Sequence, residues 1–219
     1  MLLPLLFNQQ YALFILIIVT LIISLTFHEY GHAASAKLLG DDTAQRMGRL
    51  NINPLSHIDP MGLAMVVLVG FGYAKPVPTN PNNFKSTWGV PLVAAAGPAM
   101  NLLIAFITIN IYVLGVQSGN PWFSEPGPSQ FFGLLAGINL LLMLFNLIPL
   151  GPLDGHYILG HLLPKRLSST YLEYNRRYGH FLFLGLILLS IAGVPIFRKL
   201  FSVVNSILPK LVVVGGGVI

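Results

Sequence analysis

An all-α membrane protein is the fold class this sequence predicts: a polytopic bundle of about four transmembrane helices, with a re-entrant, β-capable loop after the first. Three observations lead there. The chain is 54% hydrophobic and only 9% charged, with a mean hydropathy of +0.74, where a soluble domain carries about 25% charged residues to cover its surface. Four apolar stretches reach the ~20 residues that a bilayer crossing needs. Lys and Arg fall in alternate connections between those stretches, the pattern expected when cytoplasmic loops hold the positive charge. At 219 residues the chain has room for one domain and not for two large ones.

The first crossing, residues 11–39, is uncharged until His28 and Glu29. The N-terminus ahead of it is apolar but lacks a basic leader and a small-residue cleavage site, so it reads as a retained helix and not a signal peptide. Residues 61–73 follow as an apolar run too short to cross, interrupted by Gly62, Gly70 and Gly72. A re-entrant or interfacial segment with strand character is expected there. Residues 74–81 contain Pro76, Pro78 and Pro81, which forbid a helix and leave few amide donors, so this stretch is extended loop. The second crossing is roughly residues 90–116, the third 131–150 and the fourth 178–194, the last ending before Pro195. The tail, residues 200–219, is apolar but broken by Pro209 and three glycines. It suits a surface-packed segment or a partial span.

Charge supplies the orientation. Arg46, Arg49, Lys75 and Lys85 follow the first crossing. Residues 117–130 hold no Lys or Arg and only Glu125, while Lys165, Arg166, Arg176 and Arg177 follow the third crossing. The C-terminal ends of crossings one and three are therefore expected at the cytoplasmic face of the cell membrane, with the N-terminus outside. Arg198 and Lys199 fit poorly, since a fourth crossing would put them outside. The net charge of +5 is spread thinly, which argues against a nucleic-acid partner. With no repeat and no low-complexity tract, the expected unit is a single integral-membrane domain over residues 1–219, with a core of about 10–163 and a C-terminal helical extension at 176–219.

The chain has no cysteine, so any metal site must be built from His, Asp and Glu. Phe27-His28-Glu29-Tyr30-Gly31-His32 contains His-Glu-x-x-His in the last third of the first crossing. Residues four apart on a helix share a face, so both imidazoles can reach one tetrahedral Zn²⁺. Glu29 sits beside that face, placed to take a proton from the attacking water. Ionisable groups are expensive within a membrane, which favours a shared purpose over a polar cluster that merely ties helices together.

A catalytic zinc takes three protein ligands. The candidates for the third are Asp41, Asp42, His57, Asp59, Asp154, His156 and His161. Topology favours Asp154, which follows the cytoplasmic end of the third crossing and so shares a membrane face with His28 and His32. Pro149, Gly151, Pro152 and Gly155 break the helix around it, and irregular backbone at membrane depth is tolerated only where it lines protein or a wet cavity. His57 or Asp59 remain alternatives for the third ligand. A capping role on the short helix that follows is the bland reading of Asp154.

The two motifs together resemble the site-2 protease family of intramembrane zinc metalloproteases, in its compact prokaryotic form. His28, Glu29 and His32 match the family's first motif. Asn146, Pro149, Asp154 and Gly155 match its second, Asn-x-x-Pro followed by four residues and Asp-Gly. Asn53-Pro54-Leu55-Ser56-His57-Ile58-Asp59-Pro60, the stretch from Gly70 to Pro78, and Gly97-Pro98-Ala99-Met100-Asn101 are also similar, so the likeness covers residues 21–163. It implies one Zn²⁺ per chain held by His28, His32 and Asp154, and a substrate that is a transmembrane or membrane-proximal segment of another protein. No PDZ or CBS module is expected.

Three further residues are candidates for substrate binding or oxyanion stabilisation. Asn101 either reaches the reacting carbonyl or makes an interhelical hydrogen bond worth about 0.6 kcal/mol. Asn146 either faces substrate or ties down the backbone near Pro149. His57 either approaches the metal or lies on a surface loop. The glycine-rich residues 61–73 are the candidate edge on which an unwound substrate could pair. Two rival readings are a transporter, which would need paired interrupted segments in two similar halves, and a catalytically silent metal-binding relative.

Overall fold

The computed structural model describes residues 2–196 and 198–214. Its helices are α1 (Leu3–Phe7), α2 (Tyr11–Leu38), α3 (Thr43–Arg46), α4 (Pro54–His57), α5 (Pro60–Val69), α6 (Gly89–Gln117), α7 (Pro126–Asn146), α8 (Gly155–Leu162), α9 (Lys165–Ile191) and α10 (Arg198–Ile207). Among the described residues, α2, α6 and α7 are long and apolar enough to cross a membrane. They pack on one another as the centre of the molecule. Their outward faces carry Ile15, Val19, Leu103, Ile107 and Leu114, all exposed, as lipid-facing surfaces should be.

The fourth crossing expected at residues 178–194 is not among these spans. The chain there is helical, but α9 begins at Lys165 and carries Arg166, Arg176 and Arg177. Only its second half is apolar, short of the ~20 residues a crossing takes. The basic residues expected in a loop after the third crossing therefore lie on α8's successor helix itself. Beyond it, α10 returns to the bundle: Val204 is buried with Ala105, Leu140 and Met143. Asn110 of α6 then holds the tail by its backbone, donating to the Leu211 carbonyl at 2.8 Å and accepting from the Val213 amide at 2.9 Å. Residues 215–219 of the expected apolar tail lie outside the described residues.

The segment expected to have strand character is a helix. Asp59 caps α5 by accepting from the amides of Met61 at 2.9 Å and Gly62 at 3.0 Å. Pro60 occupies its first turn, where a missing N–H costs nothing. Gly70 ends it in the left-handed conformation at φ 89°. Those local signals outweigh the glycines that suggested a strand. Strand-type pairing is confined, among the described residues, to one antiparallel bridge, Ile58 with Ala74. That bridge closes the base of α5, and the Val67 carbonyl near its tip accepts from the Leu2 amide at 3.0 Å. The chain thus runs out along α5 and returns to Ala74 without a strand.

Residues 75–80 form no helix, as their prolines require, and Asn80 at their end is extended. Three anchors hold the loop. The His57 carbonyl accepts from the Lys75 amide at 2.8 Å. Arg49, buried, donates to the carbonyls of Lys75 at 2.6 Å and Pro76 at 3.0 Å. Asp41, fully buried, accepts from the Asn80 amide at 2.6 Å, the Asn83 side chain at 2.9 Å and the Thr43 hydroxyl at 2.5 Å.

Candidate metal centre

The centre forms where the C-terminal third of α2 meets α6 and the loop after α7. His28 and His32 lie one turn apart on α2, both buried. Their Nε2 atoms are 3.0 Å apart. Asp154 Oδ2 lies 3.3 Å from the first and 3.4 Å from the second. Among the described residues these three are the group of His, Asp and Glu side chains disposed to share a metal ion. In a tetrahedral zinc site with bonds of about 2.0 Å, ligand atoms sit about 3.3 Å apart. The observed spacings fit that edge length.

The outer hydrogen bonds fix which ring nitrogens face inward. His28 Nδ1 is 2.6 Å from Asn101 Oδ1, and His32 Nδ1 is 2.7 Å from the Val93 carbonyl. Both partners are acceptors, so each Nδ1 carries the proton and each neutral ring turns a bare Nε2 lone pair to the centre. Asp154 Oδ2 is buried and has no hydrogen-bond donor. Three electron-rich atoms at this spacing repel one another without a cation among them. The residues fit a divalent ion, and the 3.0 Å approach of the two imidazoles is a contact between ligands and not a hydrogen bond.

A buried amide network supports His28. Asn101, with no exposed surface, donates to the Ser24 carbonyl at 3.1 Å and to Asn139 Oδ1 at 2.8 Å. Asn139 donates in turn to Ser24 Oγ and to the Leu135 carbonyl, each at 2.8 Å. Because the Asn101 amide nitrogen is committed to two acceptors, its oxygen must face His28. The network joins α2, α6 and α7 at one point. Gly97 on α6 clears space beside it: a Cβ there would collide with the His32 ring and come within 2.6 Å of His28 Cε1.

Asp154 stands at the N-terminus of α8 but makes no capping hydrogen bond; its side chain turns to the histidines instead. Glu29 is buried next to His28 in the chain. Arg49 feels its charge: burial lowers the Arg49 pKa against the opposing pull of Glu29. Asn146 donates back to the Leu142 carbonyl of its own helix at 3.0 Å. His57 is wholly buried in its loop, with Nε2 2.7 Å from the Asn51 carbonyl. The other acids considered for the metal have separate tasks: Asp41 anchors the proline-rich loop, Asp42 pairs with Arg46 at 3.1 Å, and Asp59 caps α5. Sequence reasoning missed Ser24, Asn139 and the Val93 carbonyl, and named Gly97 only within a family-like stretch, without its role beside the histidines. Polar side chains in the middle of apolar helices could have flagged the first two; a backbone carbonyl leaves no mark in a sequence.

Comparison with known proteins agrees with this chemistry. The family model for peptidase family M50 matches residues 16–125 and 116–189. A candidate zinc metalloprotease of Bacillus subtilis, YwhC, is 40% identical over 198 residues, covering 88% of this chain and 89% of its own. Another, Rip2 of Mycolicibacterium smegmatis, is 31% identical over 163 residues, which are 70% of this chain and 60% of Rip2. No solved structure matches the chain.

Proposed function

The chain belongs to peptidase family M50, and on that premise we propose that His28, His32 and Asp154 hold its zinc ion while Glu29 acts as general base. As a member of that family the protein is an intramembrane zinc metalloprotease, and neither a transporter nor a silent metal-binding relative is favoured. The observation that carries the residue assignment is the convergence of two bare imidazole nitrogens and an unpartnered carboxylate oxygen at 3.0 to 3.4 Å. When bound, zinc supplies Lewis acidity, polarising the scissile carbonyl and lowering the pKa of water at the ion to about 7.

The chain's own residues do the rest. Glu29 takes the proton of the attacking water and returns it to the leaving amine. Asn101 is better suited to holding His28 than to an oxyanion, because all of its polar groups are engaged within the protein. Asn146 and His57, bonded to local carbonyls, read as structural. A pairing edge at residues 61–73 is not supported, since α5 uses its own backbone groups internally. The substrates are membrane-spanning proteins met within the lipid bilayer, as regulated intramembrane proteolysis requires. Residues 1–219 act as one protease domain in the cell membrane with the centre toward the cytoplasm. Val204 lies against Ala105 and Leu211 against Asn110, so α10 runs toward the Gln117 end of α6. Arg198 and Lys199 then sit at the end nearer the metal centre, with the other basic residues.

The test uses purified protein in liposomes with single-pass substrates, with and without a chelator. Glu29→Gln is expected to keep one zinc per chain by metal analysis while cleavage falls below detection. An active Glu29→Gln variant would remove the base assignment.

A further inference from the structure

The loop that carries Asp154 is splinted from outside the three crossings. Tyr171, Asn175 and Gly179 lie one turn apart on α9 and so share a face. The Tyr171 hydroxyl donates to the Pro149 carbonyl at 2.7 Å. Asn175, buried, accepts from the Gly151 amide at 2.8 Å. Its amide nitrogen is held in that orientation by the Tyr171 carbonyl at 3.2 Å. Gly179 lets the loop approach: a Cβ there would stand 2.9 Å from the Gly151 carbonyl oxygen.

These contacts have few substitutes. Next to them, between the loop and α9, is an open groove of about 550 Å³, lined by Leu150, Leu163, Leu167, Tyr174 and Leu182. On that side Pro149 and Leu150 face the groove, while Gly151 and Leu153 are buried. Downstream, α8 packs on α6, with Trp88 edge-on to His161 at 4.4 Å. Asp154 is thus held between an anchored helix after it and a hydrogen-bonded turn before it, in which the Leu153 amide donates to the Leu150 carbonyl at 2.9 Å. Ligand spacing in a zinc site tolerates only a few tenths of an ångström. A turn free to shift at Gly151 would carry the carboxylate out of register.

The geometry points to Asn175 as a positioning residue for the third zinc ligand, assisted by Tyr171 and Gly179; the inference rests on the assignment of Asp154 above. Residues that hold a ligand in place typically govern metal affinity by 10- to 100-fold. Acting one step further out, Asn175→Leu is expected to weaken zinc binding about tenfold, measured by chelator competition on the purified full chain. Asn175→Asp, which keeps the acceptor for the Gly151 amide, is expected to restore affinity to within about twofold of wild type on the same reasoning. Thermal unfolding of the metal-free proteins is measured alongside.

Asp154→Asn separates the two levels. If it binds zinc as wild type does, the ligand assignment has failed. If it loses zinc while Asn175→Leu binds normally, the splint has failed and the ligand stands. Equal weakening in Asn175→Leu and Asn175→Asp would also overturn the positioning role, since only the first loses the acceptor. Should Asn175→Leu not fold, Tyr171→Phe removes a single hydroxyl at a partly exposed site, and unchanged affinity in it would count against the splint.

Discussion

At the scale of single residues, the centre illustrates how a polar group survives in an apolar bundle. A hydrogen-bond donor without a partner in hydrocarbon costs several kcal/mol, and the amides of Asn101 and Asn139 avoid that by serving each other, Ser24 and His28. The arrangement predicts a hierarchy. Asn101→Leu removes the acceptor of the His28 Nδ1 proton, so the ring can turn or change tautomer, and zinc affinity should fall about 10- to 100-fold. Asn139→Leu leaves Asn101 one acceptor, the Ser24 carbonyl, and should cost less than Asn101→Leu. Chelator competition on both variants checks the order, and an Asn139→Leu protein that loses more zinc than Asn101→Leu would contradict it. The His-Glu-x-x-His motif was legible because one helical turn dictates the geometry of its residues. The acceptors behind each ring were not, because they come from α6 and α7 and are chosen by packing.

At the scale of elements, sequence reasoning succeeded where a local rule is strict and failed where two rules competed. Three crossings and the proline-rich loop followed from composition and from proline's missing amide. The 61–73 stretch carried both glycines, which suggest a strand or loop, and a complete set of helix end signals in Asp59, Pro60 and Gly70; the end signals prevailed. Asp41 was weighed as a metal ligand from its residue type alone. Its four hydrogen bonds, to groups in two separate segments, give it a structural task with a pH signature. Burial alone would raise its pKa, but the Thr43 hydroxyl, the Asn80 amide and the Asn83 side chain hold it at about 2. A carboxylate depressed in the folded state stabilises it above the unfolded pKa of about 3.9, and the benefit disappears as pH falls through the folded value. Asp41→Asn is therefore expected to melt a few degrees below wild type at neutral pH. That gap should close as the pH is lowered from about 4 to about 2. A gap unchanged over that window would show that the charge of Asp41 contributes nothing.

At the scale of the whole molecule, the unsettled feature of the sequence was the position of Arg198 and Lys199, which conflicted with a fourth crossing. Among the described residues α9 is not long and apolar enough over its length to count as a crossing. Arg176 and Arg177 sit mid-helix in α9, and placing a charge at the bilayer centre costs at least about 2.5–3.5 kcal/mol. The apolar half that follows, about 14 residues, spans only about 21 Å at 1.5 Å each, against a hydrocarbon thickness of about 30 Å. With α9 kept to the side of the metal centre, all the strongly basic segments fall on one face and the segment between α6 and α7, which contains Ser118 and Glu125, falls on the other. Every part of this can be read by labelling, because the protein has no native cysteine to remove. Single cysteines at Lys75, Ser118, Val194 and Lys199, all exposed positions, can be probed in intact cells with a membrane-impermeant maleimide. Ser118→Cys should react from outside. Lys75→Cys and Lys199→Cys should react only after the membrane is opened, and Val194→Cys should stay unlabelled from outside. Outside labelling of Val194→Cys would restore the fourth crossing. It would also put the splint formed by Tyr171 and Asn175 on a membrane-spanning helix, where its first half would have to lie below the bilayer for its arginines to remain in water.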